Sequence, residues 1–383
     1  MARSAEAKAL GISMAIPIFK NWDLVRRHRI KVLSSNYVLY GDMSRRVMSI
    51  LAQLAPRIEV YSIDEAFLGC EGIPQDQLSD FGRQIRSAVA RMTGIPVSVG
   101  IAATKTLAKV ANHFAKREPE RKGVLLLDDP ELIRSYLDRI PLEKVWGIGR
   151  RKAEFFRRNH IDNVLQLVAA DDRWIKQHLT VMSLRTAWEL RGISCIPLEA
   201  IPPKRKGIGT SRSFGRDVRD LADLKEAVAA YTSRAAEKLR CQGLAAGHIH
   251  VFIATDAFKD EPFYANAAGI GLDPPSAATP FLCSQAIRLL KRIFRPGLVY
   301  KRAGIMLMEL TGADKVQSDL FVPVYHQSRQ QRLMETVDRY NRTTNTGKLF
   351  WAAEGMGKPW YMRQAYKTKR YTTRWDELPV ARA

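Results

Sequence analysis

Residues 42–128 alternate between helical and strand spacing, in an order that a helix-backed sheet satisfies. The run DMSRRVMSILAQLA (42–55) puts Val47, Ile50, Leu51 and Leu54 at helical spacing, and Pro56 stops it. RIEVYSI then alternates like a strand, and AFLGC is short and apolar, so the two read as a hairpin. In LSDFGRQIRSAVARMTG, Ser79 is the expected cap, Phe81, Ile85, Ala88, Val89 and Met92 the buried stripe, and Gly94 the stop. VSVGIA (97–102) predicts a strand, TKTLAKVANHFAK (104–116) a helix and GVLLLD (123–128) a strand. Helix, hairpin, helix, strand, helix, strand is an α+β layer.

The hairpin carries Asp64 and Glu65 side by side at its turn. Adjacent carboxylates repel unless a positive charge lies between them. Mg²⁺ takes one or two carboxylates plus phosphate oxygens, and two such ions clamp the attacking and leaving oxygens of a phosphoryl transfer. A solvated surface pair is the plainer reading. Charge favours the first, because 61 Lys and Arg stand against 39 Asp and Glu, a net of +22. Such an excess fits a polyanionic partner, nucleic acid above all, better than a merely solvated surface. The four cysteines (Cys70, Cys195, Cys241, Cys283) form no CxxC pair and read as reduced thiols of a cytosolic protein. No apolar run is long enough to span a membrane.

Residues 129–195 read only as helices. Within them the Gly147-Ile148-Gly149 turn joins two helical patterns and precedes Arg150, Arg151 and Lys152. It is either a phosphate-binding turn or a plain helix connection. IPPKRKGIGTSRSFGRDV (201–218) is an interdomain linker leading into a strand. A strand, helix, strand, strand, helix, strand series follows, interrupted by a loop at LDPPSAATP. That is a ferredoxin-like pattern. Near the C-terminus, residues 363–374 hold five basic residues and no acid, with Tyr366 and Tyr371 between them. The run suits a nucleic-acid backbone with stacked bases, or a solvated basic face.

YSIDEAFLG followed by PVSVGIAATKTLAKVANHFAK resembles the palm signature of Y-family translesion DNA polymerases. ARSAEAKALGI, QSDLF and YTTRWDELP resemble that family's UmuC branch, and the likeness runs from residue 2 to the end. It implies a multidomain right hand: fingers at 1–34, a ferredoxin-like palm at 35–125 and a helical thumb with a helix-hairpin-helix at 126–200. A ferredoxin-like little finger at 207–312 and a C-terminal extension at 313–383 complete it. The implied activity is error-prone translesion DNA synthesis in the SOS response, by template-directed nucleotidyl transfer with two Mg²⁺ ions. By the same resemblance Asp64 and Glu65 bind metal, and Lys116 and Lys8 contact the incoming triphosphate. Gly147, Gly149 and Arg150 grip the primer duplex, and Ser211, Arg212 and Ser213 track template phosphates. Lys105 and Lys109 are expected to face DNA or solvent. Gln317, Asp319, Leu320 and Phe321 of QSDLF form a sliding-clamp peptide, whose alternative is a linker strand packed on the little finger. The implied partners are primer-template DNA, deoxynucleoside triphosphates, the sliding clamp, a processed UmuD dimer and RecA, in the cytoplasm and with no membrane.

One motif of the resemblance has no counterpart. The family places another metal-binding aspartate on a first palm strand of the type D-x-N-x-F, and residues 1–20 contain only one acid, Glu6, in a helix capped by Ser4 and ended by Gly11. The expectation is that an upstream part is missing and that the neighbouring strands expose an unpaired edge. Residues 1–383 alone should then extend primers little. The alternative function is a truncated, non-catalytic relative that binds DNA and the clamp. A third reading is a general basic nucleic-acid binder with a structural acidic turn.

Overall fold

The computed structural model describes residues 2–14, 16–201, 204–259, 263–317, 324–344 and 349–380. The chain divides into two units, Met1–Pro203 with Lys367–Ala383, and Lys204–Tyr366.

The first unit opens with helices α1 (Ala5–Ala9) and α2 (Trp22–Arg27). Ser4 caps α1, and Gly11 follows in the left-handed conformation, as the spacing predicts. Helix α3 (Tyr37–Leu54) starts earlier than its apolar stripe, because Asn36 caps it by accepting from the Leu39 N–H at 3.4 Å. Strands β1 (Arg57–Val60) and β2 (Ala66–Gly69) form the expected antiparallel hairpin. Helix α4 (Leu78–Thr93) stops at the predicted Gly94, φ 72°, but Gln77, not Ser79, is its N-cap, so Ser79 lies in the first turn, and Met92 of the predicted stripe is exposed. Strand β3 (Val99–Ala102), helix α5 (Lys105–Ala115) and strand β4 (Val124–Leu127) follow, and β3 pairs parallel with β4. Helix α5 lies so close to β3 that a Cβ on Gly100 would fall 2.1 Å from the Asn112 nitrogen, so glycine is required there.

The expected element order is therefore present, but the sheet is in two pieces. Among the described residues β2 pairs only with β1, and β3 only with β4. Between the facing edges lies a cavity of about 700 Å³, walled by Ala66–Leu68 on one side and Val99–Ala102 on the other, with α3, α4 and α5 behind.

Helices α6 (Pro130–Arg139), α7 (Arg150–Arg158), α8 (Val164–Ala169), α9 (Asp172–His178) and α10 (Val181–Leu190) complete the unit. They share one core with α5 and β4, in which Leu107, Leu127, Tyr136, Phe156 and Leu190 are fully buried. Burying each such side chain contributes roughly 1.5–3 kcal/mol. The packing therefore runs straight through the expected palm–thumb boundary. Glu189 reinforces it: this fully buried carboxylate accepts from the N–H groups of Thr106 (3.0 Å), Cys195 (2.9 Å) and Ile196 (3.1 Å).

The second unit runs β5 (Gly207–Val218), α11 (Leu221–Arg240), β6 (Leu244–Thr255), β7 (Ala265–Ser276), α12 (Thr279–Ile293), β8 (Tyr300–Gly312). The sheet order is β5-β8-β6-β7, antiparallel throughout, with both helices on one face. Strand β7 passes through Pro274 and Pro275, where the sequence predicts a loop. It is an edge strand, and an edge tolerates residues that cannot donate to a ladder.

The C-terminal stretch divides between the units. Helix α13 (Val324–Thr343) belongs to the second, where Asp338 takes a two-point ion pair from Arg240 at 2.7 and 2.8 Å. Trp360 is buried in the same core against Tyr231. Residues 367–380 belong to the first unit, where Lys367 bridges to Ser34. No helix among the described residues is long and apolar enough to cross a membrane.

Candidate active site

Asp64 and Glu65 occupy the turn between β1 and β2. The N–H groups of Tyr61 and Ser62 both donate to the Glu65 carbonyl, at 3.1 and 3.0 Å, and close the turn. The Ser62 hydroxyl donates to Asp64 Oδ1 at 2.7 Å and accepts from the Asp64 N–H at 3.3 Å. From α3, the Ser44 hydroxyl donates to the Ile63 carbonyl at 2.5 Å. The turn is thus fixed from both sides, with Asp64 exposed and Glu65 half-buried.

Lys109 Nζ lies 2.9 Å from Glu65 Oε2, and 4.6 and 5.1 Å from the Tyr61 and Phe67 ring centroids. A fixed ammonium on two aromatic faces therefore relieves the repulsion within the acidic pair. Lys109 was expected to face DNA or solvent and instead belongs to the site. The expectation for Lys105 is overturned too. It is buried, paired with Glu59, and donates to the Pro197 carbonyl at 2.7 Å. Glu59 is itself buried and also accepts from the Glu199 N–H at 2.7 Å. A buried acid requires such a cation, so Lys105 turns inward. Lys105 and Lys109 are spaced i, i+4 and share one helix face, but their acid partners lie on another element, so the sequence does not show the pairing.

Lys116 follows α5 as its C-cap, exposed, and lines the same cavity as the acidic pair. His113, one turn earlier, has its pKa pushed down to about 4 by burial and by Arg117, Lys144 and Lys116. Lys8 is exposed on α1 and is not among the cavity's walls, so the structure does not bring it to the acidic pair.

The Gly147–Gly149 turn adjoins the site through Trp146, whose indole N–H donates to the Tyr61 hydroxyl at 2.9 Å. Gly147 has φ 86°, a conformation that only glycine adopts without strain. Gly149 is the N-cap of α7, and Arg150 is its first, exposed residue. The element before the turn is a short 3-10 turn, Leu142–Lys144, not a full helix.

In the second unit, Ser211, Arg212 and Ser213 lie consecutively on β5. Ile208 and Phe214 are buried against the helices, so strand alternation puts Arg212 on that side and both serines on the open face. There Ser211 accepts from Arg302, whose guanidinium lies 5.5 Å from the Phe252 ring centroid. Gln317 is exposed, and the remainder of the clamp-like peptide, with Asp319, Leu320 and Phe321, lies outside the described residues.

Asp64 and Glu65 are the only acids among the described walls of the cavity, and no cluster of three or more His, Cys, Asp or Glu side chains occurs among the described residues. This donor set fits one hydrated Mg²⁺ that shares substrate phosphates, and falls short of two ions.

A helix-backed palm with an acidic turn, an all-helical neighbour and a separate four-stranded unit define the Y-family DNA polymerase fold. A Y-family DNA polymerase chimera superimposes with a TM-score of 0.65 over 79% of this chain and 85% of its own, at 21% identity. Residues 1–113 match the impB/mucB/samB family and residues 205–320 its C-terminal domain, while residues 331–381 match a domain of unknown function (DUF4113). Protein UmuC of Salmonella typhimurium is 40% identical over 99% of this chain and 90% of its own length. DNA polymerase IV of Desulfatibacillum aliphaticivorans is 25% identical over 88% of this chain and 82% of its own. The chain belongs to the impB/mucB/samB family.

Proposed function

We propose how this chain performs the activity that its family and fold define, DNA-directed DNA synthesis of the translesion type. Asp64, Glu65, Lys109 and Lys116 carry it. The supporting observation is their convergence on one cavity, two acids on a turn and two ammonium groups on α5 and its C-cap, with Lys109 paired to Glu65. The primer 3′ oxygen forms the new bond to the α-phosphorus of a deoxynucleoside triphosphate, and pyrophosphate leaves. Lys116 holds the triphosphate by charge. Ser62 orients Asp64, and Lys109 orients Glu65. Mg²⁺ bound at Asp64 and Glu65 would supply Lewis-acid stabilisation of the phosphoryl oxygens. Gly147, Gly149 and Arg150 contact the primer duplex, and Ser211 and Ser213 the template backbone. The clamp, a processed UmuD dimer and RecA are proposed partners, and Gln317 to Phe321 the clamp peptide.

The test is primer extension by the protein with Mg²⁺. Asp64→Ala should abolish it, and Lys116→Ala should raise KM for the nucleotide. Activity that survives Asp64→Ala would overturn the assignment.

A further inference from the structure

Residues 367–377 of the first unit lie within the stretch that matches a domain of unknown function. We infer that they are a strap that positions the acidic turn through α3. Asn36 is the joint. It is fully buried, and its two amide ends do different work. Its oxygen caps α3, and its nitrogen donates to the Thr368 carbonyl (2.9 Å), the Thr368 hydroxyl (3.1 Å) and the Lys369 carbonyl (3.3 Å). The strap is closed on itself beyond this point. The Arg370 N–H donates to Glu377, and Arg374 pairs with Asp376 and Glu377. At the other end of the coupling, Ser44 donates to the Ile63 carbonyl, next to Asp64. Ser44 is eight residues along α3 from its cap, ~12 Å at 1.5 Å per residue. The path from strap to acids is thus Thr368, Asn36, the first turns of α3, Ser44, and the turn at Ile63. A rigid helix held at its first residue transmits the position of that residue to its third turn. Asn36, Thr368 and Ser44 are positioning residues for the site of the proposed function, on which the functional meaning of this inference rests.

Asn36→Asp separates the two roles of Asn36. Aspartate caps a helix as well as asparagine does, yet it cannot donate, and it sets a carboxylate against two carbonyls. Backbone amide exchange of the full chain, without substrate, reads the result. Asn36→Asp is expected to speed exchange about fivefold or more in 367–377 and also at Tyr61 and Ser62, the scale of one lost hydrogen bond. Exchange in α7 should not change. Ser44→Ala is expected to loosen Tyr61 and Ser62 while 367–377 stays protected, and Thr368→Ser should behave as the parent. Loosening of 367–377 alone by Asn36→Asp, or no effect of Ser44→Ala on the turn, would overturn the inference. Should Asn36→Asp fail to fold, the Ser44→Ala result decides. None of these readouts needs polymerase activity, so failure of the functional reading would show separately, as absent extension with the exchange coupling intact.

Discussion

Lys105 and Glu59 hold opposite charges in a place that water barely reaches, with a backbone carbonyl and a backbone N–H completing their bonds. Such a pair gains little over a well-packed apolar pair, but losing one partner strands the other. Lys105→Met is therefore expected to cost about 3–5 kcal/mol in chemical denaturation, with part of the loss recovered in Lys105→Met/Glu59→Gln. His113 makes a pH prediction. Its pKa is about 4 in the fold and ~6.5 in an unfolded chain. Between these values the unfolded chain takes up a proton that the fold refuses. The stability it contributes is complete above about pH 6.5 and declines as pH falls toward 4. The difference in thermal midpoint between the parent and His113→Gln should follow that window. A difference that is flat across it would show that His113 protonates freely in the fold.

At the scale of elements, strong periodicity was legible and clasped ends were not. The helices α4 and α5 and the β1–β2 hairpin stand where the periodicity predicts, and α4 ends at its predicted Gly94, but its predicted cap Ser79 lies inside the helix and its predicted stripe residue Met92 is exposed. The start of α3 was missed because Tyr37, Val38, Leu39 and Tyr40 form a continuous apolar run with no helical period, and Asn36 reads as an ordinary polar residue. The acidic pair was visible in YSIDEAF, but Lys109 as its counter-ion was not, because the partner lies on another element. Glu189 is the same kind of case. Nothing in ELRGISCI predicts a carboxylate that binds the start of α5 and the segment after α10 together. Glu189→Ala leaves three N–H groups without acceptors and should cost about 3 kcal/mol or more, read as a lowered denaturation midpoint. A loss under about 1 kcal/mol would mean that water replaces the carboxylate.

For the whole molecule, charge decides how it meets its substrate. A net of +22 gives a field that attracts any phosphate backbone, independent of sequence. Each phosphate neutralised contributes about −0.9 to the slope of log affinity against log salt. A footprint of about six phosphates predicts a slope near −5. The C-terminal basic run does not act as a uniform patch within that field. Arg374 is already paired with Asp376 and Glu377, whereas Lys369 is exposed and neither it nor Lys367 makes an ion pair among the described residues. Replacing Lys367, Lys369 and Arg370 with Ala should flatten the slope by about 1–3, and Arg374→Ala should leave it nearly unchanged. The slope is the right quantity to compare. Loosening the strap alters affinity at every salt concentration alike, whereas removing a phosphate contact alters its dependence on salt. An unchanged slope in the triple variant would assign that run to solvent and leave the strap's role purely positional.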